Sequence, residues 1–452
     1  MQNGLKAKYN LPTAIAMVVG IVIGSGVFFK GEKVLNLTGG NLPLGILAWV
    51  LGAVIMIVCA YTFSIMATRH IKVNGVVDYA EAMVGNRYAY TIGWFTTFIY
   101  FPSMTAVLAW VSARYLGVLL GWDITGGSVM LLAAFFLILS FFINTISPII
   151  AGKIQVSTTV IKLIPLILMA IIGTVVGLVN GTTIENFSNI VTEVSVGNGT
   201  ALFSALCATA FAYEGWIIAT SINAEIKDAK KNLPKALIIG TLIVACVYIF
   251  YYIGIAGAAS NSEIMNGGEE GVKLAFSNIF GPAGGTILMI LLVISCLGTL
   301  NGLMLASTRG LYSISTRNCG PKPQIFNELN QHTNMPTNSG IVAMVICAAW
   351  LVYFFGANLA PTSWFGPVTF DSSELPIITL YAFYIPIFLF MTVKEKDLPP
   401  FKRFVMPVLS IIGCLFMIVA SVFSHGFAVV WYIIVFAVIM LAALPFYRKQ
   451  ID

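Results

Sequence analysis

The sequence predicts an all-α polytopic membrane protein, a single domain over residues 1–452 with 12 transmembrane helices, the first and sixth of them broken. Three observations predict it. Of 452 residues, 58% are hydrophobic and only 9% charged, with a mean hydropathy of +0.92, a balance foreign to soluble domains of this size. Apolar stretches long enough to cross a ~30 Å bilayer as helices, about 20 residues each, recur along the whole chain. Two of these stretches, five spans apart, are interrupted at their centres by glycine and polar residues. Interruptions at corresponding places in two halves point to an inverted five-plus-five repeat with a binding site where the broken helices meet.

The spans run over 11–37, 43–68, 88–120, 127–146, 154–180, 199–224, 234–260, 284–315, 338–356, 373–393, 404–424 and 427–447. The first repeat is then 9–180, the second 199–393, with the last two helices at 404–447. Length and flanks carry the assignment, because buried and lipid-facing positions are both apolar and periodicity says little. The first stretch is too long for a signal peptide and lacks a cleavage signature, so it stays as the first helix. Gly75–Met83 is short and amphipathic and reads as an interfacial helix between spans two and three. Orientation follows from Lys and Arg in the loops. With the N-terminus inside, 20 of the 24 cations fall on the cytoplasmic side, and only Lys30, Lys33, Arg114 and Lys273 fall outside. Both termini come out cytoplasmic, as for a multi-pass protein of the cell membrane. The net charge of +6 is not a nucleic-acid signal, because the cations flank apolar segments. The cysteines lie within spans except Cys319, in a loop assigned to the cytoplasm, so no external disulfide framework is implied.

The first break is Gly20-Ile-Val-Ile-Gly-Ser-Gly-Val-Phe28. Unpaired backbone at membrane depth survives only against protein, water or a ligand. The start of the outer half-helix presents free N–H groups and a partial positive charge, suited to a carboxylate. The end of the inner half offers free carbonyls to an ammonium group. Such a site suits a zwitterion with both groups on one carbon. The small residues also fit a tight helix–helix contact. The second break, Phe211-Ala-Tyr-Glu-Gly-Trp216, puts a carboxylate and a glycine at mid-span. An ionisable residue at that depth is costly and marks function.

At these residues the chain resembles the amino acid–polyamine–organocation transporters. Within them it is similar to the L-amino-acid transporter family, above all to bacterial serine/threonine and alanine/serine/cysteine exchangers. Gly20-x3-Gly-Ser-Gly-Val-Phe28, Phe211-Ala-Tyr-Glu-Gly-Trp216, Lys162 within Val160–Ile164, and Cys296-Leu-Gly-Thr-Leu-Asn-Gly302 carry the resemblance, with Lys230-Lys-Asn-Leu-Pro-Lys-Ala236 in addition. It spans helices one to ten and implies a LeuT-like fold, alternating access, and exchange of amino acids without sodium.

The resemblance also implies roles. Backbone N–H groups at Gly24, Ser25 and Gly26 hold the substrate carboxylate. Carbonyls at Val22, Ala208 and Phe211 hold its amine, and the Phe211 ring closes over it as a gate. Ala212 lines the second break. Glu214 departs from the Gly or Asp that the resemblance implies at this place; it braces the unwound segment or touches the polar face of the substrate. Asn301 lines the pocket or makes an interhelical hydrogen bond. Tyr100 is a further lining candidate, or packs in the core. Lys162 either snorkels to the interface or sets its ammonium on free carbonyls of the inner half-helix, where sodium-driven relatives hold Na⁺. In that place it is a fixed charge, or a titrating one that couples transport to protons. The bundle of spans one, two, six and seven is implied to rock against spans three, four, eight and nine.

Little bulk at Ala208, Thr209 and Ala212 favours small neutral L-amino acids: alanine, serine, threonine and cysteine. The loop between spans three and four, 121–127, has no cysteine, so no disulfide-linked heavy subunit is expected, and a monomer or a non-covalent dimer is. No cofactor, metal or nucleic-acid partner is expected. The three histidines, His70, His332 and His425, fall at loops or span ends, and no serine-hydrolase, HExxH or P-loop pattern lies within a span. These absences argue against an intramembrane enzyme and an ATP-driven pump. No ring of charges suggests a channel, and the tails leave little room for the output domain of a sensor. The alternative on the same fold is a proton-coupled symporter.

Overall fold

The protein, examined as a computed structural model, is described over residues 10–24, 26–70, 75–188, 200–217 and 226–448. Every regular element in that set is helical. Ten helices are long and apolar enough to cross a membrane, from Leu42–Arg69 to Ala428–Phe446. The two remaining expected spans are the interrupted ones, which hold only the shorter apolar helices Leu11–Gly20 and Thr200–Tyr213. Among the described residues, ten of the expected spans are thus single long helices.

Span one is two helices, Leu11–Val22 and Gly26–Leu37. The first starts where the Asn10 side chain accepts from the Thr13 amide at 3.1 Å, satisfying one of the orphan N–H groups of the helix start. It ends where Ile23 turns extended, at φ −67° and ψ 103°. Span six is helical over Thr200–Tyr213 and then turns. Gly215 takes φ 107° there, which a side chain would resist. The remainder of expected span six, 218–224, lies outside the described residues.

The helices sort into two groups. Spans one, two, six and seven pack on one another, and spans three, four, eight and nine do likewise. Each group has its own seam. Tyr213, Trp49, Tyr248 and Tyr252 form an aromatic cluster joining spans two, six and seven. In the other group, the Thr105 and Ser307 hydroxyls meet at 3.0 Å between spans three and eight. Spans five and seven touch backbone to backbone. A Cβ on Gly173 would lie 2.6 Å from the Gly254 carbonyl oxygen, and one on Gly177 would overlap Gly257. Without a hydrophobic drive between helices in lipid, such close approach is what holds them together.

Val76–Met83 is a helix as expected, but its Val76, Val77, Tyr79 and Met83 side chains are buried against the protein. Asp78 pairs with Arg317 at 2.6 Å and fixes it to the end of span eight. Span eight begins earlier than its apolar run, in a helix over Glu269–Thr308 that kinks at Gly281, φ 74°, before Pro282. The preceding helix Asn261–Gly267 is started by a reciprocal cap between Ser260 and Glu263, a signal the hydropathy of the region hides.

Candidate functional site

The two breaks face each other. Gly26, at the start of the second half-helix of span one, lies against span six so closely that a Cβ there would be 2.6 Å from the Ala212 Cα and 3.3 Å from the Phe211 carbonyl oxygen. Gly24 lies against span eight, where a Cβ would meet Thr299 Oγ1 at 3.0 Å. The free N–H groups of the second half-helix thus open between spans one, six and eight. Ser25, expected among the carboxylate ligands, lies outside the described residues.

Across the gap, the first half-helix ends with four carbonyls that lack intrahelical partners. Val19 is capped by the Ile23 amide at 2.8 Å. Gly20 accepts from the Lys162 ammonium at 2.6 Å. Val22, expected to meet a substrate amine, accepts from the Tyr248 hydroxyl at 3.1 Å and keeps a second lone pair. Lys162 is 2% exposed, so it does not snorkel; it stands on the carbonyl end of the broken helix, tying span five to span one. A charge-assisted bond satisfies the otherwise orphaned carbonyl and gives the ammonium a strong acceptor.

On span six, Phe211 and Ala212 are buried at the meeting point. The Phe211 carbonyl accepts weakly from the Glu214 amide at 3.5 Å, whereas Ala208 sits a full turn inside the helix, where its carbonyl belongs to the helical ladder. The Phe211 ring makes an edge contact with Phe29, centroids 5.7 Å apart. Glu214 reaches span three and accepts from the Tyr100 hydroxyl at 2.5 Å. Asn301 takes the interhelical option. Its Oδ1 accepts from Asn144 at 2.9 Å and its amide donates to the Ala151 carbonyl at 3.1 Å, clamping span eight to spans four and five.

Above Phe211 lies a charged layer that sequence reasoning missed. Lys30, 0% exposed, pairs with Glu374 at 2.6 Å. Lys33 pairs with Glu374 at 2.7 Å and with Asp371 at 3.3 Å. His425 adds a contact to Glu374 at 3.2 Å. The Lys30 ammonium also lies 5.1 Å from both the Phe29 and Phe211 ring centroids. The layer fastens the second half of span one to the segment before span ten. The two lysines were visible in the chain, but their partners lie more than 330 residues away in sequence. Tyr248 and Thr299 were also missed as neighbours of the first break. Thr299 sits inside the Cys296–Gly302 motif, and Tyr248 carries no local signal.

Known proteins supply the comparison. The amino acid permease family matches residues 9–444 of this chain. The chain belongs to that family. It is 28% identical to the serine/threonine exchanger SteT of Bacillus subtilis (strain 168), over 98% of this chain and 97% of that protein. It is 26% identical to the large neutral amino acids transporter small subunit 2 of Homo sapiens, over 79% of this chain and 69% of that protein. It is 24% identical to the human cystine/glutamate transporter, over 94% of this chain and 82% of that protein. Among solved structures, MhsT in complex with L-phenylalanine superposes with a TM-score of 0.60 at 15% identity, over 93% of this chain and 99% of that one. The fold is therefore LeuT-like, with helices one and six broken, in a multi-pass membrane protein whose relatives are amino-acid transporters and exchangers.

Proposed function

We propose that the chain is a sodium-independent exchanger of small neutral L-amino acids that works by alternating access. Both termini are cytoplasmic, and the inverted repeats cover 9–180 and 199–393. The observation that carries the reading is Lys162 on the Gly20 carbonyl at 2.6 Å. A cation tethered to the broken helix does there what a bound cation would do, so the site is complete without a solute ion.

The substrate carboxylate meets the N–H groups at Gly24, Ser25 and Gly26. Its amine meets the Val22 and Phe211 carbonyls, with Ala208 and Ala212 shaping the floor. Phe211 closes over it beneath the Lys30–Glu374 layer. The bundle of spans one, two, six and seven then moves against spans three, four, eight and nine. No cysteine lies in 121–127, which supports a subunit that works without a disulfide-linked partner, as a monomer or a non-covalent dimer.

The test is competition in sodium-free buffer. Labelled serine uptake into proteoliposomes is expected to fall with excess alanine, threonine or cysteine, and to be unmoved by lysine or by added sodium. Strong competition by arginine, or a requirement for sodium, overturns the reading.

A further inference from the structure

The end of span twelve closes a pocket that the transport site does not use. Within Ala428–Leu441 only Tyr432 is buried, yet the residues that follow are stitched down. Trp94 donates to the Ile439 carbonyl and Tyr90 to the Ala443 carbonyl, each at 2.9 Å. The Gly320 amide donates to the Phe446 carbonyl at 3.0 Å, and the Cys319 thiol to the Arg448 carbonyl at 3.4 Å. The Tyr447 ring rests on Tyr90, centroids 5.4 Å apart. Tyr447 and Arg448 thereby form one wall of a pocket. Its other walls are the start of span three, the end of span eight and the helix Val76–Met83. Glu81, Asn86 and Ser313 give it a polar lining.

The surroundings of the pocket are basic. Arg317 and Arg448 line it. Arg87 follows Asn86, Lys322 lies two residues beyond Gly320, and both are exposed, as Arg448 is. The acidic groups at hand, Asp78 and Glu81, are both drawn to Arg317, at 2.6 Å and 3.5 Å. Among the described residues no carboxylate lies within ion-pairing distance of Arg87 or Arg448. Span three starts beside them on Gly85, which has no side chain to cap the first amides, so the helix end adds partial positive charge to that of the guanidinium groups. The chemistry is that of a phosphate site. An apolar lane leads to it. Val438, Leu441 and Leu444, three residues apart along span twelve, stand exposed on the way to Arg448. In the orientation proposed above, the pocket opens at the cytoplasmic leaflet, where basic pockets between helix ends attract anionic headgroups.

We propose that this pocket binds the headgroup of an anionic phospholipid. The phosphate lies between Arg87 and Arg448. The rest of the headgroup reaches Asn86, Ser313 and Glu81, whose carboxylate accepts from a headgroup hydroxyl. One acyl chain follows Leu444, Leu441 and Val438. A lipid seated there joins the ends of spans three, eight and twelve. The site is independent of the exchanger reading, and only the leaflet that it faces depends on the proposed orientation.

The test uses the purified full chain in an uncharged detergent, where neither transport nor orientation enters. On titration with dioleoyl-phosphatidylglycerol, the melting temperature of the native protein is expected to rise and saturate. Dioleoyl-phosphatidylcholine, and inorganic phosphate at the same ionic strength, are expected to leave it in place. The double variant Arg87→Gln/Arg448→Gln is expected to shift the midpoint of the phosphatidylglycerol titration to higher lipid by about 25-fold, roughly fivefold for each arginine. Arg448→Lys, which keeps the charge, is expected to stay within a few-fold of the native midpoint. If the double variant melts too early for the titration, native mass spectrometry of the retained phosphatidylglycerol gives the midpoint instead. An equal rise with phosphatidylcholine overturns the anionic headgroup. An equal rise with inorganic phosphate overturns the lipid. An equal midpoint in native protein and double variant, or no rise in the native protein, overturns the site.

Discussion

Lys162 and Gly26 carry the two ends of the site, and each makes a sharp prediction. Lys162→Ala leaves the Gly20 carbonyl orphaned at the end of a half-helix. Losing a charge-assisted bond of about 2 kcal/mol lowers the affected equilibrium roughly thirtyfold. Exchange rates in proteoliposomes are expected to fall by about that factor. Lys162→Arg is not expected to rescue them, because a guanidinium fork does not fit where a compact ammonium does. At Gly26 the obstacle is steric. An added Cβ would meet the Ala212 backbone at 2.6 Å, and backbone cannot swing aside as a flexible side chain does. Gly26→Ala is expected to cost about 1–3 kcal/mol of stability, read as a lower melting temperature, and to abolish serine binding as the half-helices part.

The broken helices were legible in the chain because lipid forbids what they contain. Gly24 and Gly26 within one apolar run, and Glu214-Gly215 within another, have no bland home in a lipid-facing helix. Packing between helices was not legible in the same way. The Gly173/Gly177 and Gly254/Gly257 seam involves four of 41 glycines, and nothing local marks these four as facing each other. Asn301 illustrates a residue whose role stayed open in the chain, with its bonds visible once the partner helix was placed. Its amide bonds Asn144 and Ala151. Asn301→Ala is expected to lower stability by about 1 kcal/mol, in the range of polar contacts between membrane helices. The KM for serine should stay unchanged. A raised KM with an unchanged melting temperature would show that the amide serves the pocket instead.

At the scale of the whole molecule, two packed groups of helices meet around the breaks, and the Lys30–Glu374 layer holds one end shut. Distant pairs such as Lys30 and Glu374 were invisible in the chain because a charge gives no hint of which distant segment it will find. Loosening the layer should open that end. Glu374→Gln is expected to speed labelling of a cysteine placed at Phe29 by a thiol reagent added outside. Acidity gives a second handle. Burial works to raise the Asp371 carboxyl, but the charges of Lys33 and Lys30 outweigh it and hold the group below its ordinary 3.8. A carboxylate lowered on folding adds stability above its unfolded value and loses it as pH falls through the folded one. The contribution of Asp371 is thus intact above about pH 5 and lost below roughly pH 4, so a melting curve against pH should show its loss only in that acid range. Acid effects on transport nearer neutrality then belong elsewhere in the molecule. The most direct test of the account is counterflow: labelled serine outside, with vesicles either preloaded with unlabelled serine or empty, in the absence of sodium. The account predicts rapid uptake into preloaded vesicles and little into empty ones. Equal uptake into both, or none without sodium, would contradict it.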